Sequence, residues 1–207
     1  MEQLIKKIRS NFKPDDKGII PRDQIRDAVK QILAAAKMDN RPDTVGLAKW
    51  LGFSVFDSSL SHLGEDVIGL MYDGEDPYPG VNETRFIALE ENDSPARKRS
   101  TIAHEIGHYT LEERPANQNY IYSERRITSD KNDSKEQNAS RFMYELLLPH
   151  DLLKKFLDSR QKMEWRKILN EASSYFDVSF GLIKRHIETV SGKPVLEQGI
   201  YQGGYLD

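Results

Sequence analysis

Apolar residues fall at helical spacing through most of the chain and alternate in only a few short stretches. Leu4, Ile5, Ile8 and Phe12 repeat at three- and four-residue intervals and predict a helix over residues 2–12. The run from Lys13 to Gly18 reads as a turn. Pro21 opens a second helix, whose Ile25, Ala28, Val29, Ile32, Leu33 and Ala36 share one face, and Asp39-Asn40-Arg41-Pro42 ends it. Asp43 can cap a short helix that runs to Leu51, where Gly52 stops it. Residues 53–57, 67–72 and 84–90 read as strands. The last two flank a loop rich in Gly, Pro and Asp, which predicts an antiparallel pair.

Asn92-Asp93-Ser94-Pro95 is a helix start signal, and the helix it opens runs from 95 to about 112, where Arg114-Pro115 ends it. Residues 115–133 are polar and read as a long loop. A further helix over 134–148 is stopped by Pro149. Beyond it, Leu152, Leu153, Phe156 and Leu157 form one apolar face, and Trp165, Ile168, Leu169, Ala172 and Phe176 another. A last helix spans about 179–190, and the tail from Gly192 carries no clear pattern. The expected organisation is an N-terminal helical segment (1–41), a catalytic core (42–150), and C-terminal helices with a tail (151–207) packed on that core.

Composition narrows the function classes. The 207 residues suffice for one domain with a real core. A formal net charge of -3 gives no basic field for nucleic acid or an anionic membrane. The segment Lys154–Lys167 is locally basic and the helices over 164–190 could imitate a helix-turn-helix. Their charge forms no concentrated stripe, however, so nucleic acid is not the expected direct partner. No run approaches the ~20 apolar residues of a membrane span, and Glu2–Lys7 is amphipathic rather than a leader. A cytoplasmic location is expected. The absence of cysteine removes thiolate ligands, disulfides and cysteine nucleophiles, so any metal must be held by nitrogen and oxygen.

Candidate chemistry centres on His104-Glu105-Ile106-Gly107-His108. Histidines at i and i+4 on a helix lie about 40° apart around the axis and about 6 Å apart along it, so both imidazoles can reach one ion. This is the H-E-x-x-H arrangement of a zinc metallopeptidase, with Glu105 as general base rather than ligand. A catalytic zinc needs a third protein ligand. Candidates are Glu112, Glu113, Glu124, Asp130, Asp133, Glu136, Glu145 and His150. Glu112 would have to bend back along its own helix. On the helix over 134–148, Glu136 shares the stripe of Ala139, Met143 and Leu147, whereas Glu145 lies about 180° around and faces away. A carboxylate at the buried end of an apolar stripe needs a metal or a cation. Glu136 is therefore the expected ligand and Asp133 the runner-up. Tyr109, Tyr120, Tyr122 and His150 are candidates to stabilise an oxyanion or contact substrate. Arg97 and Arg99 read as a solvated helix face or structural ion pairs, and His62 and His186 as ordinary. The strand over 84–90 is a candidate edge for an added substrate strand.

Two blocks carry a family resemblance. The run Ser94–Tyr109 and the run Glu136-Gln137-Asn138-Ala139-Ser140-Arg141-Phe142 with Glu145-Leu146-Leu147-Leu148-Pro149 resemble the ImmA/IrrE metallopeptidases. Ser140 stands where the family usually has Asn and Leu148 where it has Met; neither is a ligand position. The resemblance extends loosely over residues 42–190. It implies an α+β, zincin-like fold with a small sheet packed on the motif helix, and a gluzincin-like site with Glu136 as third ligand to one zinc. It also implies a partner, since family members cleave helix-turn-helix repressors and relieve repression. The competing expectation is a regulatory module that keeps the zinc but only docks on a transcription factor or DNA.

Overall fold

The computed structural model describes residues 1–113, 119–125, 133–204 and 206, though not the side chains of Tyr122, Glu124 and Arg125. In chain order the elements are α1 (Glu2–Ser10), α2 (Arg22–Ala36), α3 (Thr44–Trp50), β1 (Ser54–Ser58), β2 (Val67–Asp73), β3 (Arg85–Glu90), α4 (Pro95–Leu111), β4 (Tyr120–Arg125), α5 (Ser134–Leu147), α6 (His150–Asp158), α7 (Trp165–Phe176) and α8 (Phe180–Ser191). The architecture is α+β.

The sheet has the order β1-β3-β2-β4. β2 and β3 form the expected antiparallel pair, with Leu70 opposite Ala88, while β1 runs parallel to β3. Alternation along β3 sends Ile87 and Leu89 to the main core and Phe86 and Ala88 to the other side. β2 likewise splits Met71 from Leu70 and Tyr72. On the far face Leu63 and two side chains of the β2–β3 loop, Tyr78 and Val81, close a second apolar cluster. Both faces are thus covered, which is why the middle strands are near-continuous apolar runs.

Two sequence expectations fail here. β3 is an inner strand, because β1 crosses over to pair with it; it offers no free edge to a substrate. Residues 120–125 of the expected loop form β4, antiparallel to β2, with Ile121 opposite Tyr72. Ile121 is 56% exposed and Ser123 is exposed, so the strand has no apolar face to reveal it. Its backbone pairing holds it at the sheet edge.

The main core joins α1, α2, the sheet, α4, α5 and the C-terminal helices: Ile5, Ile25, Met71, Ile106, Leu146, Trp165 and Ile187 all belong to one buried cluster. The tail packs on the start of α7. Tyr201 lies tilted against Trp165 with ring centroids 4.8 Å apart, and the Trp165 backbone N–H donates to Gly199 O.

Candidate metal centre

α4 carries the motif. Ser94 caps it by accepting from Arg97 N–H, and Pro95 occupies the first turn, as the start signal requires. Every residue from Thr101 to Leu111 is buried. Two arginines fix the ends. Arg99 donates to the carbonyls of Phe176, Asp177 and Pro42, tying the first half to the α7–α8 turn. Arg9 of α1 donates to the carbonyls of Thr110 and Tyr109, closing the C-terminal end.

α5 crosses this buried half at close range, and Gly107 is the reason. A Cβ there would stand 2.9 Å from the carbonyl oxygen of Ala139 and 3.0 Å from its Cα, closer than side chains tolerate. Asp133 caps α5 by accepting from Lys135 N–H, and Asn138 bonds both Ile20 N–H and Gly18 O. Glu136, in the first turn of α5, is thereby held against the two histidines.

Three donors converge. His104 Nε2 and His108 Nε2 lie 3.0 Å apart. Glu136 Oε2 is 3.2 Å from His104 Nε2, and Oε1 is 3.6 Å from His108 Nε2. A tetrahedral ion with bonds of 2.0–2.1 Å spaces its ligands about 3.3 Å apart, and the three distances bracket that value, so the donor set fits a tetrahedral ion such as zinc. His104 is 3% exposed and His108 and Glu105 are fully enclosed, whereas the Glu136 side chain retains 19% exposure and marks the open side. Burial pushes the His108 imidazolium pKa down, against the pull of Glu112, and so favours the neutral, ligand form. At Glu136 burial works to raise the carboxyl, but the hydrogen bond and charge of the histidines outweigh it and hold it below the usual range. A bound cation would take the place of that imidazole charge and leave neutral rings beside an ionised carboxylate.

Beneath the cluster lies a network that sequence reasoning missed. Glu112, the C-cap of α4, turns into an extended conformation and accepts a hydrogen bond from His108 Nδ1 through Oε1. Its Oε2 accepts from the Tyr120 hydroxyl at 2.6 Å and lies 3.4 Å from Lys135 Nζ. The i,i+4 spacing from His108 was the available signal. Glu112 reaches His108 Nδ1, the ring nitrogen turned away from the other two donors.

The remaining candidates lie elsewhere. Tyr109 packs edge-on against Phe53, sits below Arg9 and Arg85, and donates to Met1 Sδ. His150 begins α6 with Arg26, Glu145, Asp151 and Lys154 as its charged neighbours. The structure brings neither to the three donors. Glu145 faces away from them, but into α2, where Arg26 Nε lies 3.2 Å from it. Glu113 is exposed. Asp130 and the side chains of Tyr122 and Glu124 lie outside the described residues. His62 bonds Ser59 O, and His186 is buried against Tyr144.

The arrangement matches known proteins at two levels. A family model described as the IrrE N-terminal-like domain, peptidase M78, matches residues 61–188, more than half of the chain. No curated protein matches. A solved structure described as a Mycobacterium tuberculosis transcriptional regulator superposes with a TM-score of 0.53 at 14% identity, covering 90% of this chain and 52% of that one. The chain thus spans about half the length of that protein, and the likeness is one of fold. With the motif helix and Glu136 both inside the matched segment, the fold is zincin-like and the chain belongs to the IrrE N-terminal-like, peptidase M78, family.

Proposed function

We propose that this peptidase-family chain is a zinc-dependent endopeptidase that cuts a helix-turn-helix repressor and so relieves repression. The observation that supports it most is the convergence of the three donors, 3.0–3.6 Å apart, where α5 meets the helix that also carries Glu105. His104 and His108 would hold the ion through Nε2, and Glu136 through its carboxylate. Zinc, when bound, supplies a Lewis acid that activates water toward a carbonyl. Glu105 takes the proton of the attacking water and passes it to the leaving amine nitrogen. The surroundings of His104, Glu105 and His108 exclude bulk solvent, which strengthens each of these interactions.

Substrate recognition is assigned to β4. It is the sheet edge linked to the cluster through Tyr120 and Glu112, and an extended segment can add to it by backbone hydrogen bonds. Ile121, 56% exposed, offers an apolar contact on that strand. The repressor as partner rests on the family; the neighbour's description as a transcriptional regulator is in keeping with it. Among the described residues no helix is long and apolar enough to cross a membrane. We place the activity in the cytoplasm, where such repressors act.

The test is incubation of the zinc-loaded chain with purified helix-turn-helix repressors of its own cell, read by mass spectrometry. Defined fragments are expected. Glu105→Gln should keep zinc and lower cleavage by about 10²–10⁴-fold, the usual contribution of a general base. A repressor bound by the parent chain and recovered intact would instead support a docking module.

A further inference from the structure

The structure assigns Glu112 and Tyr120 as positioning residues of the metal centre: together they fix the ring of His108 so that Nε2 faces the ion. The inference rests on the zinc reading above and goes beyond its three ligands. A histidine ligates through one nitrogen only if the proton sits on the other. Here His108 Nδ1 is bonded to a carboxylate, which accepts only, so the ring proton is held at Nδ1 and the Nε2 lone pair is left for the metal.

Glu112 is itself fixed from three sides. His108 is on α4, Tyr120 on β4 and Lys135 on α5, and all three reach its two oxygens. Its side chain is only 7% exposed. A carboxylate so enclosed is stable only when its lone pairs are answered, and here they are. The Lys135 side chain is 62% exposed, so its charge is screened and its share is small. The neutral Tyr120 hydroxyl, at 2.6 Å, orients the oxygen that does not touch His108. Glu112 is thus the joint between both metal-bearing helices and the edge strand.

The experiment is a competition titration of Zn²⁺ against a chromophoric chelator, using the full chain and Glu112→Gln, Glu112→Ala, Tyr120→Phe and Lys135→Met. Loss of such an outer partner weakens metal binding by about 10–100-fold, the effect expected for both Glu112 variants. Tyr120→Phe should cost roughly threefold to tenfold, the worth of one hydrogen bond, and Lys135→Met less than about twofold. The His108 ring ¹⁵N shifts of the metal-free protein supply a readout that general destabilisation would not move. The parent should show the proton on Nδ1, and Glu112→Ala a mixture of tautomers. If Glu112→Ala fails to fold, Tyr120→Phe decides, since it removes one oxygen and keeps the ring. Zinc bound by the parent and equally by every variant would overturn the inference alone. A parent that binds no zinc would overturn the metal reading, and this inference with it.

Discussion

The two faces of α5 bury carboxylates in different company. On the face toward α2, Glu145 meets Arg26, Asn138 bonds Ile20 and Gly18, and Arg141 donates to Ile20 O. Every one of these groups is answered by the protein. On the face toward α4, Glu136 meets two imidazole nitrogens, and burial favours the neutral form of His108. A permanent guanidinium completes one face; the other offers a negative charge and two lone pairs converging on one point. Burial of a carboxylate is therefore not a sign of a site. The sign is burial against partners whose charge is not permanent and whose nitrogens can be ligands.

The largest effect should come from breaking the α4 face. Glu136→Ala or His104→Ala should abolish stoichiometric zinc, measured by elemental analysis of purified protein. Glu145→Ala should leave zinc content unchanged. Retained zinc in Glu136→Ala would remove Glu136 from the ligand set and point to Asp133, the runner-up in the sequence.

The α2 face should respond in stability alone. Arg26→Met strands Glu145, whose side chain is 5% exposed, without its cation. Breaking a buried pair costs about 3–5 kcal/mol; because Arg26 is 27% exposed, about 2–3 kcal/mol is expected by chemical denaturation. Zinc per folded chain should not change.

Between the faces stands the α4–α5 contact. Gly107→Ala pushes a methyl into the Ala139 backbone, which cannot yield as a side chain would. Overpacking of this kind costs about 1–3 kcal/mol, and forcing the helices apart should also weaken zinc binding. A variant with unchanged stability and zinc affinity would show that the close approach is not what sets the donor spacing.

Both helices of the centre were legible because their signals are local. Ser94-Pro95 and Asp133 mark starts, the apolar stripe of α5 points Glu136 inward, and i,i+4 spacing joins the histidines. What escaped depends on long-range pairing. β4 has no apolar face and exists through its bonds to β2, and β3 became an inner strand because β1 crosses over to it. Periodicity could turn Glu145 away from the cluster but could not reveal Arg26, 119 residues distant along the chain. Glu112 stands four residues after His108, but sequence does not show that the C-cap turns out and carries its carboxylate under that ring.

The effect that is smallest at neutral pH concerns a third side of α5, where Tyr144 stacks on His186 of α8 with ring centroids 4.6 Å apart. His186 is buried, and burial together with the charges of Arg22 and His150 lowers its pKa to about 3. In the unfolded chain the group titrates near 6.5. Between these values the unfolded state binds a proton that the folded state refuses, so stability falls as pH falls. The contribution is fully present above about 6.5 and is lost progressively toward 3, at roughly 1 kcal/mol per pH unit. Denaturation of the metal-free protein at a series of pH values should show this slope, shallower in His186→Phe. Metal-free protein is required, because acid also protonates His104 and His108 and would release zinc. An identical slope in both proteins would mean that the ring gains a proton without leaving its place against Tyr144, and that this side of α5 is more open to water than its packing implies.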